Sequence, residues 1–363
     1  MNIKARHVRA SPPLRIREVD CYLVENQEGR GGKEFRSLVI QLTGPDGQQG
    51  WGEGPALWSR AELPSRQEAL AAVLVDRSAF DIEELSTLDF LRPPGLRSAV
   101  EMACWDLIGK RVGEPVCHLW GGRYRSYVPL GARLPSLDSA ENLGAFAREL
   151  AEQGFHTLLL PTTGQPETDL ERVLAVRQSA GERSRLYLDG ATRYAEAAAQ
   201  DLCAALEYQT VQGLIDPLNS LEVYPFASLA RQTSVPIGLH RPLIDLLQAF
   251  VAVRSGAGAF LVLDVDILGG MTLLRKAAAV AEAAGVPVLL QEPGGVGIRL
   301  AALVHLSAAI SFLDQPCLTS CYPPDEKLLC RGLEIVEGMG AVPEGPGWAV
   351  EIDQAQLEQW SID

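Results

Sequence analysis

The feature that most constrains this fold is an alternation of short apolar runs with longer amphipathic stretches, which begins near Tyr127. Apolar runs of this length are typical of strands buried on both faces, and the stretches between them have the spacing of helices. This repeat predicts an α/β architecture, a modified TIM-type (β/α) barrel of parallel strands joined by helices. The eight predicted strands are residues 128–132, 157–161, 185–190, 212–217, 235–240, 260–264, 286–291 and 311–315.

Helical patterning separates these strands, so residues 126–320 are assigned to the barrel domain. The clearest predicted helices are residues 139–153, 168–179, 195–207, 242–254, 271–284 and 298–309. Because the carboxyl ends of parallel barrel strands share one face, polar residues at those ends are the candidates for a functional site.

Residues 1–125 have a different pattern. Alternating strands at residues 14–25 and 36–42 precede a Pro-Asp-Gly turn, and helical spacing follows at residues 66–75 and 97–112. Such a mixture predicts an N-terminal α+β domain that caps the barrel. Residues 321–363 return to short strand-like runs, which we predict to pack back on this domain.

Charge and composition exclude several partners. The chain has 32 basic and 46 acidic residues and a formal net charge of −14, which argues against binding to nucleic acid or to an anionic membrane. No segment has the roughly 18 apolar residues of a membrane helix, and no apolar stretch follows the positively charged N-terminus as in a secretory signal. Seven scattered cysteines without a Cys-x-x-Cys spacing are typical of a reducing compartment, which predicts a cytoplasmic protein.

Several motifs resemble the mandelate racemase and muconate lactonizing enzyme branch of the enolase superfamily. They are Gly50-Trp51-Gly52-Glu53, the block RSAVEMACWDLIGK at residues 97–110, Gly113-Glu114-Pro115-Val116, and LGGMT at residues 268–272. These are mostly scaffold motifs, so they support the fold more than a particular activity.

The resemblance implies chemistry at the carboxyl ends of the barrel strands. In that family, carboxylates from the third, fourth and fifth strands bind Mg²⁺, and bases from the second strand and the sixth or seventh strand move a proton. The metal stabilises the enolate that forms when a proton next to a carboxylate is removed.

Few of the implied positions hold the expected residue types. Asp189 stands at the third-strand ligand position, but Ile215 and His240 stand at the fourth and fifth. Asp216 is adjacent to the fourth position, and strand alternation predicts that its side chain points away from the barrel axis. The second-strand base positions hold Leu159 and Pro161, which cannot accept a proton. The seventh-strand histidine position holds Gln291, and the sixth holds Asp264.

The remaining polar residues near the predicted rim define the candidate site. We predict His240 and Asp264 as a catalytic pair, since a carboxylate beside an imidazole orients it and raises its basicity. Asp189 and Asp216 are the candidate metal ligands. The candidate substrate-binding residues are Arg241, Gln291, Asp314 and Arg30, the last in a Gly-rich loop at residues 26–34 of the capping domain; Asp266 and Glu292 also lie near the rim by position.

Each of these residues also has a purely structural interpretation. His240 in that case hydrogen-bonds to Asp189 or Asp264 in a mouth without a metal, and Arg241 neutralises the acidic rim as a cation in place of the metal.

We therefore predict an enolase-superfamily protein with a degraded Mg²⁺ site, which binds a small carboxylic acid with altered or absent catalysis. If active, it is an isomerase or lyase with non-standard residues. No cofactor is predicted, with Mg²⁺ as the alternative that the resemblance implies, and the chain is expected to form a homo-oligomer. Two other readings stay open: an ordinary Mg²⁺-dependent racemase, lactonizing enzyme or dehydratase with displaced ligands, and a non-catalytic binding or structural homologue.

Overall fold

The computed structural model of the protein describes residues 14–26, 35–137, 139–181, 183–320 and 330–361. The N-terminal domain is a three-stranded antiparallel sheet in the order β1-β2-β3, covered by helices. Its elements are β1 (Glu18–Asn26), β2 (Phe35–Thr43), β3 (Gln49–Pro55), α1 (Leu63–Leu74), α2 (Ile82–Leu85), a 3-10 turn (Asp89–Leu91), α3 (Pro94–Val112) and α4 (Val116–Leu119).

The second domain is a closed barrel of eight parallel strands, because its last strand, β11, pairs with its first, β4. The barrel predicted from the sequence is therefore confirmed. The strands are β4 (Tyr127–Arg133), β5 (Thr157–Pro161), β6 (Arg185–Asp189), β7 (Gly213–Ile215), β8 (Ile237–Leu239), β9 (Phe260–Asp264), β10 (Val288–Gln291) and β11 (Cys317–Thr319). The helices are α5 (Ala140–Glu152), α6 (Pro166–Ala180), α7 (Glu196–Leu206), α8 (Val223–Ala230), α9 (Leu246–Ser255), α10 (Val265–Leu268), α11 (Met271–Ala283) and α12 (Ile298–Ala309).

The eighth strand was predicted in the wrong place. Residues 311–315 form a turn and bend after α12, and the strand that closes the barrel is Cys317–Thr319. Ser311 and Asp314 are exposed in this turn, whereas every residue of β11 is buried between its two neighbouring strands. The apolar residues Phe312 and Leu313 of the turn gave a strand-like pattern just before the true strand.

The barrel interior is filled by apolar side chains from six strands. They form one cluster, made of Leu159, Tyr187, Ile215, Phe260, Val262, Leu289 and Leu318. Phe260, on β9, fits because the next two strands, β8 and β7, carry glycine: a Cβ at Gly238 or Gly213 would lie 2.3 Å from its ring carbons. The polar residues that end the strands therefore lie above a packed apolar layer.

The Gly-Trp-Gly-Glu motif joins the two domains. In β3, Gly50, Gly52 and Gly54 face α3, where a Cβ at Gly52 would lie 1.9 Å from the carbonyl oxygen of Ala99. The alternate residues of the strand, Trp51 and Glu53, consequently face the other way. Both are buried, and Glu53 accepts hydrogen bonds from the barrel loop before α12.

The C-terminal segment contacts both domains. It contains β12 (Cys330–Arg331), β13 (Ile335–Val336), β14 (Met339–Ala341), β15 (Glu351–Ile352) and α13 (Gln354–Trp360). β14 pairs antiparallel with the first barrel strand. The indole of Trp348 donates a hydrogen bond to the carbonyl oxygen of Trp51 in the capping domain, 3.1 Å away. Within the described ranges, none of the helices has the length and apolarity needed to cross a membrane.

Candidate functional site

Charged side chains meet where the barrel strands end. Asp189 ends β6, Asp264 ends β9, and Asp216 and His240 directly follow β7 and β8. Because all eight strands are parallel, these residues lie at one mouth of the barrel. Together with Arg133 and Arg241 they form a group that we call the mouth cluster.

Arg241 links two of the carboxylates. Its Nη1 lies 2.9 Å from Oδ1 of Asp189, and its Nη2 lies 3.3 Å from Oδ2 of the same residue. Nη1 is also 3.1 Å from Oδ2 of Asp216. The planar guanidinium thus donates to both oxygens of one carboxylate and to the second carboxylate as well, which is the geometry that favours arginine over lysine.

Asp216 does not point away from the barrel axis, so that prediction was wrong. Its backbone adopts a left-handed conformation with φ of +44°, which breaks the strand alternation on which the prediction relied. The carboxylate is fully buried and accepts hydrogen bonds of 2.8 Å from the backbone N–H groups of His240 and Arg241. The strain at this residue is offset by these two hydrogen bonds and by the side-chain contact with Arg241.

His240 lies against two carboxylates in a buried position. Its Nε2 is 3.4 Å from Oδ2 of Asp264, so the structure brings the predicted pair together. Its Nδ1 is 4.0 Å from Oδ2 of Asp216 and has no hydrogen-bond partner in the described part of the chain. The other oxygen of Asp264 caps α10, where it accepts from the backbone N–H of Asp266 at 2.8 Å. Asp264 is therefore fixed by the backbone and able to orient the imidazole.

Arg133 is the member of the mouth cluster that sequence reasoning missed. It ends the first barrel strand, and its Nη2 lies 2.9 Å from Oδ2 of Asp189. The available signal was its position as the last residue of that strand, but the predicted strand ended at residue 132.

The two arginines set the ionisation of Asp189. Burial opposes the charged form, but Arg133 and then Arg241 hold the pKa of this carboxyl well below its usual value. For Asp216 the balance is the reverse, since burial raises its pKa although His240 and the backbone N–H groups act in the opposite direction. Asp189 is thus a fixed anion that anchors both guanidinium groups.

The other predicted substrate-binding residues have different locations. Gln291 ends β10 in register with Asp264 and is buried at the mouth. Asp314 is exposed and precedes β11, at the opposite end of the barrel, so its predicted place at the rim was wrong. This error follows from the misplaced eighth strand. Arg30 and residues 27–34 of the predicted loop lie outside the described residues.

A second buried group of charges, which we call the interdomain cluster, lies behind the mouth. It consists of Glu53 from the capping domain and Asp266, Glu292 and Arg299 from the barrel. Arg299 forms ion pairs with all three carboxylates. Burial and then the charge of Glu53 raise the pKa of Glu292 to about 7, although hydrogen bonds from Thr319 and two backbone groups favour its ionised form.

Family models match both domains of the chain. Residues 142–356 match the enolase C-terminal domain-like model, and residues 30–121 match the N-terminal domain of mandelate racemase/muconate lactonizing enzymes. The chain belongs to the mandelate racemase/muconate lactonizing enzyme branch of the enolase superfamily.

Relatives in this family are similar over almost the whole chain. D-galactarolactone cycloisomerase of Agrobacterium fabrum is 25% identical over 90% of this chain and 91% of its own length. Muconate cycloisomerase 1-1 of Acinetobacter lwoffii is 27% identical over 90% of this chain and 89% of its own. The solved structure of N-succinyl Arg/Lys racemase from Bacillus cereus is 19% identical in sequence. The match covers 96% of this chain and 99% of that chain, with a TM-score of 0.87. The last similarity supports the fold alone.

Members of the mandelate racemase/muconate lactonizing enzyme branch are typically Mg²⁺-dependent. Across the described ranges, no group of three or more His, Cys, Asp or Glu side chains is arranged to hold a metal ion. The two candidate metal ligands, Asp189 and Asp216, are the carboxylates that Arg241 links.

Proposed function

We propose that this family member binds a small carboxylic acid at the barrel mouth without Mg²⁺, and that it does not catalyse metal-assisted enolate chemistry. The observation that carries the proposal is the Arg241 guanidinium, which lies between Asp189 and Asp216. A permanent cation of the protein there takes the electrostatic place of a divalent metal.

The donor set does not fit Mg²⁺ as it is arranged. This ion requires near-octahedral coordination by oxygen ligands at short distances. Both oxygens of Asp189 contact Arg241, and Oδ2 also contacts Arg133. Both oxygens of Asp216 accept backbone N–H groups. A metal would have to displace a bidentate guanidinium and then remain close to two positive charges.

The second-strand positions support the same proposal. Leu159 lies in the apolar cluster that fills the barrel, and Pro161 ends the strand with its side chain also buried. Neither can move a proton, and Leu159 occupies space in the barrel interior. Without a base on this side, removal of a proton from a carbon that faces β5 has no acceptor.

A carboxylate ligand fits the remaining chemistry. The side chain of Arg241 is 29% exposed and that of Arg133 is 16% exposed, so neither arginine is closed off from solvent. Guanidinium groups bind carboxylates with paired N–H donors, and Asp189 holds both groups in place. Relatives are named for muconate, D-gluconate and N-succinylamino acids, which are all carboxylic acids.

A second candidate function is proton transfer by His240. One observation favours it: Nδ1 of this buried imidazole lacks a hydrogen-bond partner among the described residues, while Nε2 faces the fixed carboxylate of Asp264. A bound ligand that presents an acidic or basic atom to Nδ1 would satisfy it. In that case Asp264 stabilises the imidazolium that forms, as a carboxylate does behind a general-base histidine.

The test combines calorimetry with hydrogen exchange. Mg²⁺ and Mn²⁺ are titrated into the protein, and a library of small carboxylic acids is then titrated with and without metal. We expect no metal binding, carboxylate binding that is independent of metal, and loss of carboxylate binding in Arg241→Gln. Tight Mg²⁺ binding, or carboxylate binding that requires it, would overturn the proposal.

Incubation of the bound acid in D₂O separates the two candidates. Deuterium incorporation next to the carboxylate that is lost in His240→Gln and reduced in Asp264→Asn supports proton transfer. No incorporation with intact binding supports a binding function alone.

A further inference from the structure

Helix α9 has an unusual distribution of side chains. In its sequence, LLQAFVAVRS, Gln248 is the only polar residue before Arg254. A helix of this kind is normally buried on all sides. Yet Ala249 and Ala252 are its only fully buried residues, while Leu247 is 63% exposed and Phe250 is 47% exposed. The smallest side chains face the barrel and the largest face solvent.

The exposed apolar surface extends beyond this helix. Ile244 precedes α9 and is 58% exposed, and the adjacent helix α8 adds Leu221 and Tyr224, which are 65% and 69% exposed. We call these five residues the α8–α9 face: Leu221, Tyr224, Ile244, Leu247 and Phe250. Helices α8 and α9 pack against each other, and several large exposed apolar side chains on two packed elements are typical of an interaction site.

We propose that the α8–α9 face binds the same face of a second copy of this chain, across a two-fold axis that places the two α9 helices antiparallel. The arrangement of charges supports this partner. Both helices begin with an exposed acid, Glu222 or Asp245, and end with an exposed base, Arg231 or Arg254. In an antiparallel pair, the acidic end of each copy meets the basic end of the other.

The net charge of the chain points to the same contact. Two copies that each carry −14 repel one another unless their contact surface is locally neutral. Two acids and two bases frame the α8–α9 face, so their charges sum to zero. The residues of α8 and α9 between them are uncharged. In a two-fold dimer, the same surface of each copy forms the contact, so the surface must be complementary to itself.

This contact would lie beside the mouth. Ile244 follows Arg241 by three residues, and the segment between them is a tight turn in which the backbone N–H of Leu243 donates to the carbonyl oxygen of His240 at 3.0 Å. The loop that carries His240 and Arg241 is therefore also the loop that enters the α8–α9 face.

The first test measures molecular mass by sedimentation and light scattering over a wide dilution series. We expect a dimer for the wild type. In Phe250→Glu and Leu247→Glu the dimer should associate at least about tenfold more weakly, which is the size of effect found for a central interface residue. Leu174→Glu is the matched control, because Leu174 lies on α6 and is also 47% exposed. It should remain dimeric.

Thermal unfolding by circular dichroism checks that each variant is folded, and Tyr224→Glu replaces any that is not. A wild type that stays monomeric at every concentration overturns the proposal, including the case in which another protein covers the face. So does a folded Phe250→Glu chain that dimerises like the wild type.

The second test addresses the antiparallel geometry. Arg254→Glu and Asp245→Arg chains should each dimerise poorly, since like charges would meet twice in either homodimer. Mixed together, they should form a heterodimer in which both pairs are again opposite in sign. Homodimers of undiminished strength, or no pairing in the mixture, would overturn this geometry.

Discussion

Two buried charge clusters lie at the same end of the barrel but hold different proportions of acids and bases. The mouth cluster has two arginines and a histidine for three aspartates. The interdomain cluster has Arg299 alone for three carboxylates. In the first, Asp189 is held ionised, whereas in the second the pKa of Glu292 rises to about 7 because of burial and the charge of Glu53. Asp189 stays charged because it contacts two guanidinium groups directly, whereas Glu292 lies 3.6 Å from the single guanidinium of Arg299 and near the charge of Glu53, so it keeps a proton near neutral pH.

The largest expected effect comes from removing the only cation of the interdomain cluster. Arg299→Gln leaves three buried carboxylates without a counter-charge and should lower the free energy of unfolding by about 3–5 kcal/mol at neutral pH. Urea unfolding measures the loss. The exposed Arg66→Gln, which breaks only a surface pair with Glu62, should change it by less than about 1 kcal/mol. Equal losses would show that Arg299 does not hold this cluster together.

The same change in the mouth should have a smaller effect on stability and a larger one on binding. Arg241 is partly exposed and Arg133 remains, so Arg241→Ala should lower the free energy of unfolding by only about 2 kcal/mol. It also frees two carboxylates, and we expect the variant to acquire Mn²⁺ binding, measured by calorimetry or paramagnetic resonance. The double variant Arg241→Ala/Asp189→Asn should lose this binding again. Equal Mn²⁺ affinity in wild type and variant would contradict the role given to Arg241.

The proton on Glu292 predicts a pH dependence of stability. Its folded pKa of about 7 lies above the ordinary glutamate value of 4.5, so protonation favours the folded state. This contribution is fully present below pH 4.5 and is lost as the pH rises to about 7. The side chain of Glu292→Gln stays neutral at every pH. Its free energy of unfolding should therefore rise by about 3 kcal/mol relative to that of the wild type as the pH increases between these limits.

The measurement is urea unfolding from pH 4 to pH 8, limits chosen to bracket the two pKa values. Glu282→Gln, on an exposed part of α11, is the control and should follow the wild type at every pH. A constant difference between Glu292→Gln and wild type across this range would mean that Glu292 does not hold a proton.

The smallest predicted effect tests which groups favour the charged form of Glu292. Thr319 donates a hydrogen bond of 2.9 Å to it, so Thr319→Val should cost about 1 kcal/mol above pH 7 and less at low pH. Thr162→Val also removes a buried hydroxyl, but one that donates to the backbone carbonyl oxygen of Asp189. Its cost should not vary between pH 5 and pH 8, a range set by the same titration.

The sequence was sufficient for the barrel because its strands are continuous apolar runs at a regular interval, and seven of the eight were located. The eighth was displaced because the turn just before Cys317–Thr319 contains the apolar pair Phe312 and Leu313, which looks like a strand in the sequence. That one error also placed Asp314 at the wrong end of the barrel.

The site was only partly predictable because its geometry depends on non-local contacts. His240 and Asp264 were paired correctly in space, since both end adjacent strands. The orientation of Asp216 depends on a left-handed backbone that strand alternation does not anticipate. Glu53 and Arg299 are 246 positions apart, so their contact could not be inferred without the tertiary fold.

Phe260 has a consequence for any ligand of the barrel. Its ring, packed against Gly213 and Gly238, is part of the apolar cluster that fills the barrel beneath the mouth. A molecule that enters must therefore leave by the route along which it came. Anything that narrows this entrance will slow both association and dissociation of the ligand. It will therefore change the residence time more than the equilibrium occupancy.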